Sequence, residues 1–596
     1  MTSAIIHLTI GGMTCLDCSR HITQALEQVE GVSSPAVDYR AGTAQVVASA
    51  PVAIERLLDA VSHSGYRAAL APPSSNASTT TEAPQAVAAR IPSRPSGTQQ
   101  GYALSATAPP TVGVADFDLV IIGTGGAGVA AAIQAVGMGG KVAIVEAGTI
   151  GGTCVNVGCI PSKNLIEVAA HYHAAVRGFQ GVAACAPTLD WPAAIQQKDA
   201  LVAELRQAKY TDVLASYPGI ALLSGRARLV SGGAGSGPVI VRIQEGTTIR
   251  DHRARKVVVA TGTHPSAPDL PGLDRVGALN STTAMELEQL PASLVVLGGS
   301  AVGLELAQTF ARVGVRVTVV ERMPRLLPAE DEEISLALAE YLREEGIEIH
   351  TGVQATRVEC VGEEVILHVT EGSLAGTFHA EQLLVATGRD PNTSDLGLDD
   401  VGVTLTARRF VQVDATMRTS NPDVYAAGDV TGGPGYVYVA AAGGRVAAEN
   451  AMKSLAKAGA SSDVPTALDL SVVPGVTFTS PQVGSVGLTE AQAKALGHHV
   501  QVSVLQLDQV PRAYVSHDAR GVVKMVADAT SGKLLGIHAV APLAGELMGE
   551  AASALRFGLT ARDLMGTLHP YLTWNESLKL AAQGFAMDVS KLSCCA

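Results

Sequence analysis

The 596-residue chain has few charged side chains (16%), fewer aromatics (4%) and only two tryptophans. With 47% hydrophobic residues beside so little charge, a disordered polyelectrolyte is excluded, and cores must be built from Ala, Val, Ile and Leu. The chain has no basic excess: 42 Lys and Arg stand against 55 Asp and Glu, a net charge of -13. A phosphate polymer would find no electrostatic footprint, which disfavours nucleic-acid binding. Mean hydropathy is +0.25, yet no run of about 20 apolar residues is free of glycine clusters and charges, which excludes a membrane span. Met1 to Ile10 has no basic segment ahead of its apolar stretch, so it is not a secretory signal, and a cytoplasmic location is expected. Eight cysteines are too few for a disulfide scaffold in a chain of this size, so their spacing must be read as metal or redox chemistry. Structural-zinc spacing and a Ser/His/Asp hydrolase pattern are both missing, and His171-Tyr172-His173 reads as a polar helix face.

What is present is glycine, 62 residues without a collagen period, and paired cysteine. The pairs are Cys15/Cys18, Cys154/Cys159 and Cys594/Cys595; Cys185 and Cys360 stand alone and read as small buried hydrophobes. At about 150 residues per domain the length implies roughly four domains. Residues 1–70 alternate in the order β-α-β-β-α-β: a strand over Ile5-Ile10, a helix from Cys18 to Val29, strands at Ala36-Tyr39 and Thr43-Ala48, a helix from Ile54 to His63 and a strand near Tyr66. Residues 71–114, rich in Pro, Ser, Thr, Ala and Gln, read as a flexible linker.

The body opens with a short apolar strand, Phe117 to Ile122, followed by Gly123-Thr124-Gly125-Gly126-Ala127-Gly128, an Ala-rich helix and a second strand ending in Glu146. Glycines let a backbone turn sharply, approach a pyrophosphate and pack a helix closely on a strand, and the acid at the strand end bonds a ribose hydroxyl. A related pattern begins at Gly298-Gly299-Ser300-Ala301-Val302-Gly303 and ends in Glu321. The first glycine and the acid are 23 positions apart in both (Gly123 to Glu146, Gly298 to Glu321), so the chain is expected to hold two dinucleotide folds. Ser300 in place of the middle glycine loosens the second phosphate approach. Glu321 favours a free 2′-hydroxyl while Arg322 and Arg325 would attract a 2′-phosphate, leaving NADH and NADPH both open. From about Leu470 onward, four strand-like runs and two helices suggest an α+β domain. Between the two glycine patterns, Gly151-Gly152-Thr153-Cys154-Val155-Asn156-Val157-Gly158-Cys159-Ile160-Pro161-Ser162-Lys163 puts two thiols at the start of a helix, whose N-terminus favours a thiolate, so the pair can cycle between dithiol and disulfide.

That segment resembles the redox-active disulfide of the flavin-dependent pyridine nucleotide-disulfide oxidoreductases, and Ala260-Thr261-Gly262, Ala386-Thr387-Gly388-Arg389 and Tyr425-Ala426-Ala427-Gly428-Asp429-Val430 agree with that family. The resemblance covers Asp116 to Ala596. It implies an α/β fold of two Rossmann-like domains and an α+β dimerisation domain: FAD binding over 115–275 and 389–468, NAD(P)H binding over 276–388, and a homodimer interface over 469–596. It also implies FAD held by Gly123, Gly125, Gly126, Gly128, Glu146, Thr153, Lys163 and Asp429, and the nicotinamide coenzyme held by Gly298, Gly303, Glu321 and Gly388. Cys159 would be the thiolate at the flavin, Cys154 the thiol that meets substrate, and Lys163 with Glu305 an ion pair near flavin N5. Disulfide reductases of the family carry a proton-shuttling His near the C-terminus, and here Tyr571 takes its position. In this and in the terminal Cys594-Cys595 the chain is similar to the mercuric reductases, whose second active-site tyrosine matches Tyr210. The alternative at this place is an ordinary buried Tyr571 beside a functional His569.

Gly11-Gly12-Met13-Thr14-Cys15-Leu16-Asp17-Cys18 resembles the heavy-metal-associated domain, a ferredoxin-like fold, which makes Cys15 and Cys18 soft-metal ligands. The expectation is thus Hg(II) reduction at Cys154/Cys159, with Cys594/Cys595 of the partner subunit passing the metal on. A dihydrolipoyl dehydrogenase or glutathione reductase-like activity is the alternative.

Overall fold

In the computed structural model the described residues are 4–11, 22–23, 25–29, 31–38, 43–48, 54–63, 66–70, 115–230, 238–456 and 464–592. Cys15, Cys18, Cys594, Cys595, Tyr39 and the 71–114 segment lie outside them. The chain divides into two compact units, 1–105 and 106–596.

The small unit is a four-stranded antiparallel sheet in the order Val32–Asp38, Thr43–Ala48, Ala4–Gly11, Arg67–Leu70. Alternation along Ala4–Gly11 turns Leu8 and Ile10 inward against Ile22, Leu26, Val46, Leu57 and Val61, all buried. The expected strand at Ala36 starts earlier, at Val32. Pro35 lies within it, which an edge strand tolerates: its register shifts between Ser33 and Ala36, where a missing N–H costs no ladder bond.

In the large unit, strand β1 (Phe117–Ile122) is flanked by β2 (Val142–Glu146) and β3 (Thr248–Val259), all parallel, with Ile220–Ser224 beyond β2 and Val424–Ala426 on the far side of β3. Helix α1 (Gly126–Gly137) follows β1 and packs on helix Val437–Lys453 through alanines, Ala131, Ala132 and Ala135 against Ala447, Ala448 and Ala451, none of them exposed. The approach is close enough that a Cβ at Gly444 would meet the Ala127 carbonyl oxygen at 2.1 Å. The second parallel sheet runs Glu348–Thr351, β5 (Arg316–Glu321), β4 (Ser293–Leu297), Gln382–Val385. Two helices between the glycine patterns carry the cysteines: α2 (Gly152–Val157) and α3 (Cys159–Arg177). Helix α4 (Ala301–Arg312) follows β4.

The C-terminal region is a five-stranded antiparallel sheet covered by helices, the α+β layer expected. It differs from the sequence reading in two respects. Gln482–Gly487 is an additional strand, and five helices form rather than two, among them Ala544–Arg556 and Glu576–Gln583. The strand escapes notice because Gly484 and Gly487 carry no strand propensity; Gly484 is needed because a Cβ there would meet the Ala544 carbonyl oxygen at 2.7 Å. Cys185 and Cys360 are exposed, not buried as their isolation suggested. No helix among the described residues is long and apolar enough to cross a membrane.

Candidate active site

The phosphate-binding turn is built where β1 meets α1. Gly123 has φ +108°, and a Cβ on Gly128 would meet the Gly123 carbonyl oxygen at 1.9 Å. Gly152 approaches the same turn so closely that its Cβ would meet Gly125 Cα at 2.6 Å, which seats the cysteine helices directly on the dinucleotide fold. Glu146, at the end of β2, has one carboxylate oxygen bonded by the Thr124 amide (3.2 Å) and hydroxyl, and the other by the Gly148 amide (2.8 Å). A cleft of about 590 Å³ runs from Glu146 past Gly123, Gly125 and Thr153 to Gly262 and Asn392. Its glycine cradle, helix N-terminus and ribose-facing acid fit an extended dinucleotide such as FAD. Gly126 begins α1, with Val437 3.0 Å from where its Cβ would be. Asp429 accepts a 3.3 Å bond from the Thr263 hydroxyl, and Thr263 in turn receives Arg389 Nε at 2.7 Å.

Cys159 is the first residue of α3, and Cys154 lies in α2 just before it. The Cys154 thiol donates to the Cys159 sulfur, and with the positive charge of Lys163 one turn on, this brings Cys159 down to about 7. The same bond, reinforced by burial, pushes Cys154 well above the usual thiol range. The reduced pair therefore loses its first proton from Cys159, while Cys154 keeps its own. Lys163 Nζ is 2.7 Å from Glu305 Oε2, and Glu305 is buried on α4. The other Glu305 oxygen accepts the Phe478 amide at 2.9 Å, while the Phe478 ring lies 4.5 Å from the Lys163 ammonium. Phe478 was not legible in the sequence, since no motif marks it. Arg389 is also at the site: burial weakens its hold on the proton, and Asp429 and Cys159 oppose that effect.

Tyr210 occupies a single π-helical turn, Gln207–Thr211, that continues helix Trp191–Arg206. Such turns recur at functional sites because they re-aim one side chain. Burial, and beyond it the negative charge that the cysteine pair carries, pushes the Tyr210 phenol up, so it stays protonated beside the turn that leads into the cysteine helices. The structure thus brings Cys154, Cys159, Lys163, Glu305 and Tyr210 together. Tyr571 is in the C-terminal region and is 49% exposed rather than buried. Two residues before it, His569 Nε2 is 2.8 Å from Glu550 Oε1, and Asn575 donates to Glu550 Oε2 at 2.9 Å. These bonds clamp the Tyr571 loop at both ends onto helix Ala544–Arg556, a role for Glu550 that sequence motifs do not signal.

The second glycine pattern repeats the first. Gly298 has φ +117°, and a Cβ on Gly303 would meet its carbonyl oxygen at 2.1 Å. Ser300 has φ -99° and ψ -179°, extended backbone open to any residue, so its replacement of glycine causes no strain. Gly388, φ +141°, stands beyond strand Gln382–Val385 with open space around it. Among the described residues no group of three or more His, Cys, Asp or Glu could hold a metal ion.

Family models match in three places: the heavy-metal-associated domain over residues 7–67, the pyridine nucleotide-disulphide oxidoreductase over 117–444, and that family's dimerisation domain over 473–582. The chain is 40% identical to a mercuric reductase of Staphylococcus aureus over the whole of both chains, and 42% identical to one of Shigella flexneri over 99% of each. It is 47% identical to one of Streptomyces lividans over 80% of this chain and 98% of that one. Among solved structures it is similar to LpdA of Mycobacterium tuberculosis, TM-score 0.70 and 29% identity, covering 78% of this chain and 98% of that one. The HOCl-induced flavoprotein disulfide reductase RclA of Escherichia coli has TM-score 0.68 and 29% identity, covering 78% and 99%.

Proposed function

Because the chain belongs to the pyridine nucleotide-disulphide oxidoreductases, and within them to the mercuric reductases, we propose that it reduces Hg(II) to Hg(0) at Cys154 and Cys159. The observation that carries this reading is the thiol–thiolate pair seated on the phosphate turn, with Tyr210 in the charge field of both sulfurs. Bound along the cleft, FAD would supply the two-electron link between NAD(P)H and this site, for an overall reaction in which NAD(P)H and Hg(II) give NAD(P)⁺, a proton and Hg(0). The chain works as a homodimer through its dimerisation domain.

The protein's own part is sulfur and proton chemistry. Hg(II) is soft and prefers two thiolates in a line. Cys154, the thiol that meets substrate, takes Hg(II) first and loses its proton to solvent as the metal–sulfur bond forms, and the Cys159 thiolate then closes the two-sulfur site. When Hg(0) leaves, the two sulfurs face each other as anions, and Cys154 takes a proton back. Tyr210 and the partner subunit's Tyr571 donate hydrogen bonds to the sulfurs that hold the metal, and neither needs to deliver a proton to a sulfur. Lys163, held by Glu305, keeps negative charge favourable at Cys159.

We assign FAD to 115–275 and 389–468, through Gly123, Gly125, Gly126, Gly128, Glu146, Thr153, Lys163 and Asp429. The nicotinamide coenzyme is assigned to 276–388, through Gly298, Gly303, Glu321 and Gly388, and the interface to 469–596. Residues 1–70 capture Hg(II) at Cys15 and Cys18, the 71–114 linker carries them, and the partner subunit's Cys594 and Cys595 hand the metal to Cys154 and Cys159 in the cytoplasm. The test is coenzyme oxidation with excess small thiol and Hg(II), oxidised lipoamide or glutathione disulfide as acceptor. Turnover with Hg(II) and volatile mercury supports the proposal, and turnover only with a disulfide refutes it.

A further inference from the structure

The two dinucleotide folds of one chain hold their strand-end acids by the same backbone bonds, which bears on the nicotinamide coenzyme that the second one takes. In the first fold, Glu146 receives the amide of the residue after the first glycine, Thr124 at 3.2 Å, and the amide two residues after itself, Gly148 at 2.8 Å. In the second, Glu321 receives the amides at the same two relative positions, Gly299 at 2.6 Å and Met323 at 2.7 Å. Glu321 is buried, 8% exposed, and lies against Gly299 so tightly that a Cβ there would meet Glu321 Cβ at 3.0 Å. The carboxylate is thus clamped in place and cannot swing aside for an anion. The first fold is the one assigned to FAD, whose adenosine ribose carries a free 2′-hydroxyl, so the duplicated bonding is that of a site made for a free 2′-hydroxyl.

The cations that would welcome a 2′-phosphate are poorly placed. Arg325 Nη2 donates to the carbonyls of Pro328 at 3.2 Å and Glu330 at 3.1 Å, and its Nε is buried without a partner, so the guanidinium is turned into its own loop. Arg322 is exposed beside Glu321, but a phosphate reaching it would also face the fixed carboxylate across a short distance, where like charges repel strongly. We propose that the enzyme selects NADH over NADPH, with Glu321 as the specificity-determining residue. The proposal rests on the reading of residues 276–388 as the coenzyme domain.

The test uses the FAD-loaded full-length dimer and needs no mercury. Calorimetry would compare binding of 5′-AMP with 2′-phospho-AMP, and anaerobic stopped flow would compare flavin reduction by NADH and NADPH. A hydrogen bond to a charged acceptor, plus repulsion of the phosphate, corresponds to roughly 10- to 100-fold preference for the unphosphorylated partner in both assays. In Glu321→Ala the preference should shrink at least tenfold from both sides, NADH losing its bond and NADPH gaining access to Arg322. Equal or tighter binding of 2′-phospho-AMP by the unaltered protein would overturn the proposal, whether or not the variant folds. If NADH is preferred but Hg(II) supports no turnover, the coenzyme inference stands and the mercury reading fails.

Discussion

Cys159 carries the largest consequence at the scale of single residues. Its pKa is lowered to about 7 by the bond from Cys154 and by Lys163, so a step in thiolate absorbance with a midpoint near pH 7 should appear in the reduced protein and be missing from Cys159→Ser. In Cys154→Ser the donor becomes a hydroxyl and some of the shift survives, so the midpoint should lie between about 7 and the ordinary thiol value. The sign follows from the direction: a depressed acid is charged above its folded value and loses that charge as pH falls through it. A midpoint near 9 in the unaltered protein would show that the pair is not coupled as described. Tyr210→Phe keeps the ring and removes the donor; kcat/KM for Hg(II) should fall roughly 10- to 100-fold, with flavin reduction by coenzyme unchanged.

Between residues and the whole protein, the loop 569–575 is the element that presents Tyr571. Glu550 ties both of its ends, so Glu550→Ala leaves His569 and Asn575 without their acceptor and should cost about 1–3 kcal/mol of local stability. Amide exchange in 569–575 should quicken, with Hg(II) turnover reduced in step with Tyr571→Phe; unchanged exchange would show that the clamp does not order the loop. Elements of this kind also show what a sequence can reveal. β1, β2, β4 and β5 were legible because apolar strands, glycine turns and terminal acids recur at one spacing. Strand Gln482–Gly487 was not, because the glycine that lets a helix approach is the residue that hides a strand. Cys154, Cys159 and Lys163 were legible as one local segment, whereas Glu305, Phe478 and Tyr210 meet them only across the fold. Glu305 and Tyr210 were reached through resemblance, and Phe478 carried no signal at all.

Across the whole molecule, Glu345 joins the coenzyme-side helix Glu332–Glu344 to the C-terminal region. Burial would raise its acid, but bonds from Arg312, Arg520 and Gln308 overcome this and bring it down to about 2. Glu345→Ala leaves the buried Arg312 guanidinium without its carboxylate, while Arg520 keeps Asp518, and should destabilise the protein by about 3 kcal/mol in denaturant unfolding. Because its folded value lies below the unfolded one, this contribution is full above about pH 4.5 and is lost as pH falls towards 2. The two-unit organisation gives a further expectation: removing residues 1–110 should leave kcat for thiol-bound Hg(II) within about a factor of two, since the reacting groups are all in the large unit.

The most direct measurement is mercury release. The unaltered dimer and Cys154→Ala are each mixed with coenzyme, excess small thiol and Hg(II), while coenzyme oxidation and volatile mercury are followed together. One Hg(0) per coenzyme oxidised by the unaltered enzyme, and none above background in Cys154→Ala, is the result expected of a two-thiolate site. Undiminished mercury release by the variant would contradict it.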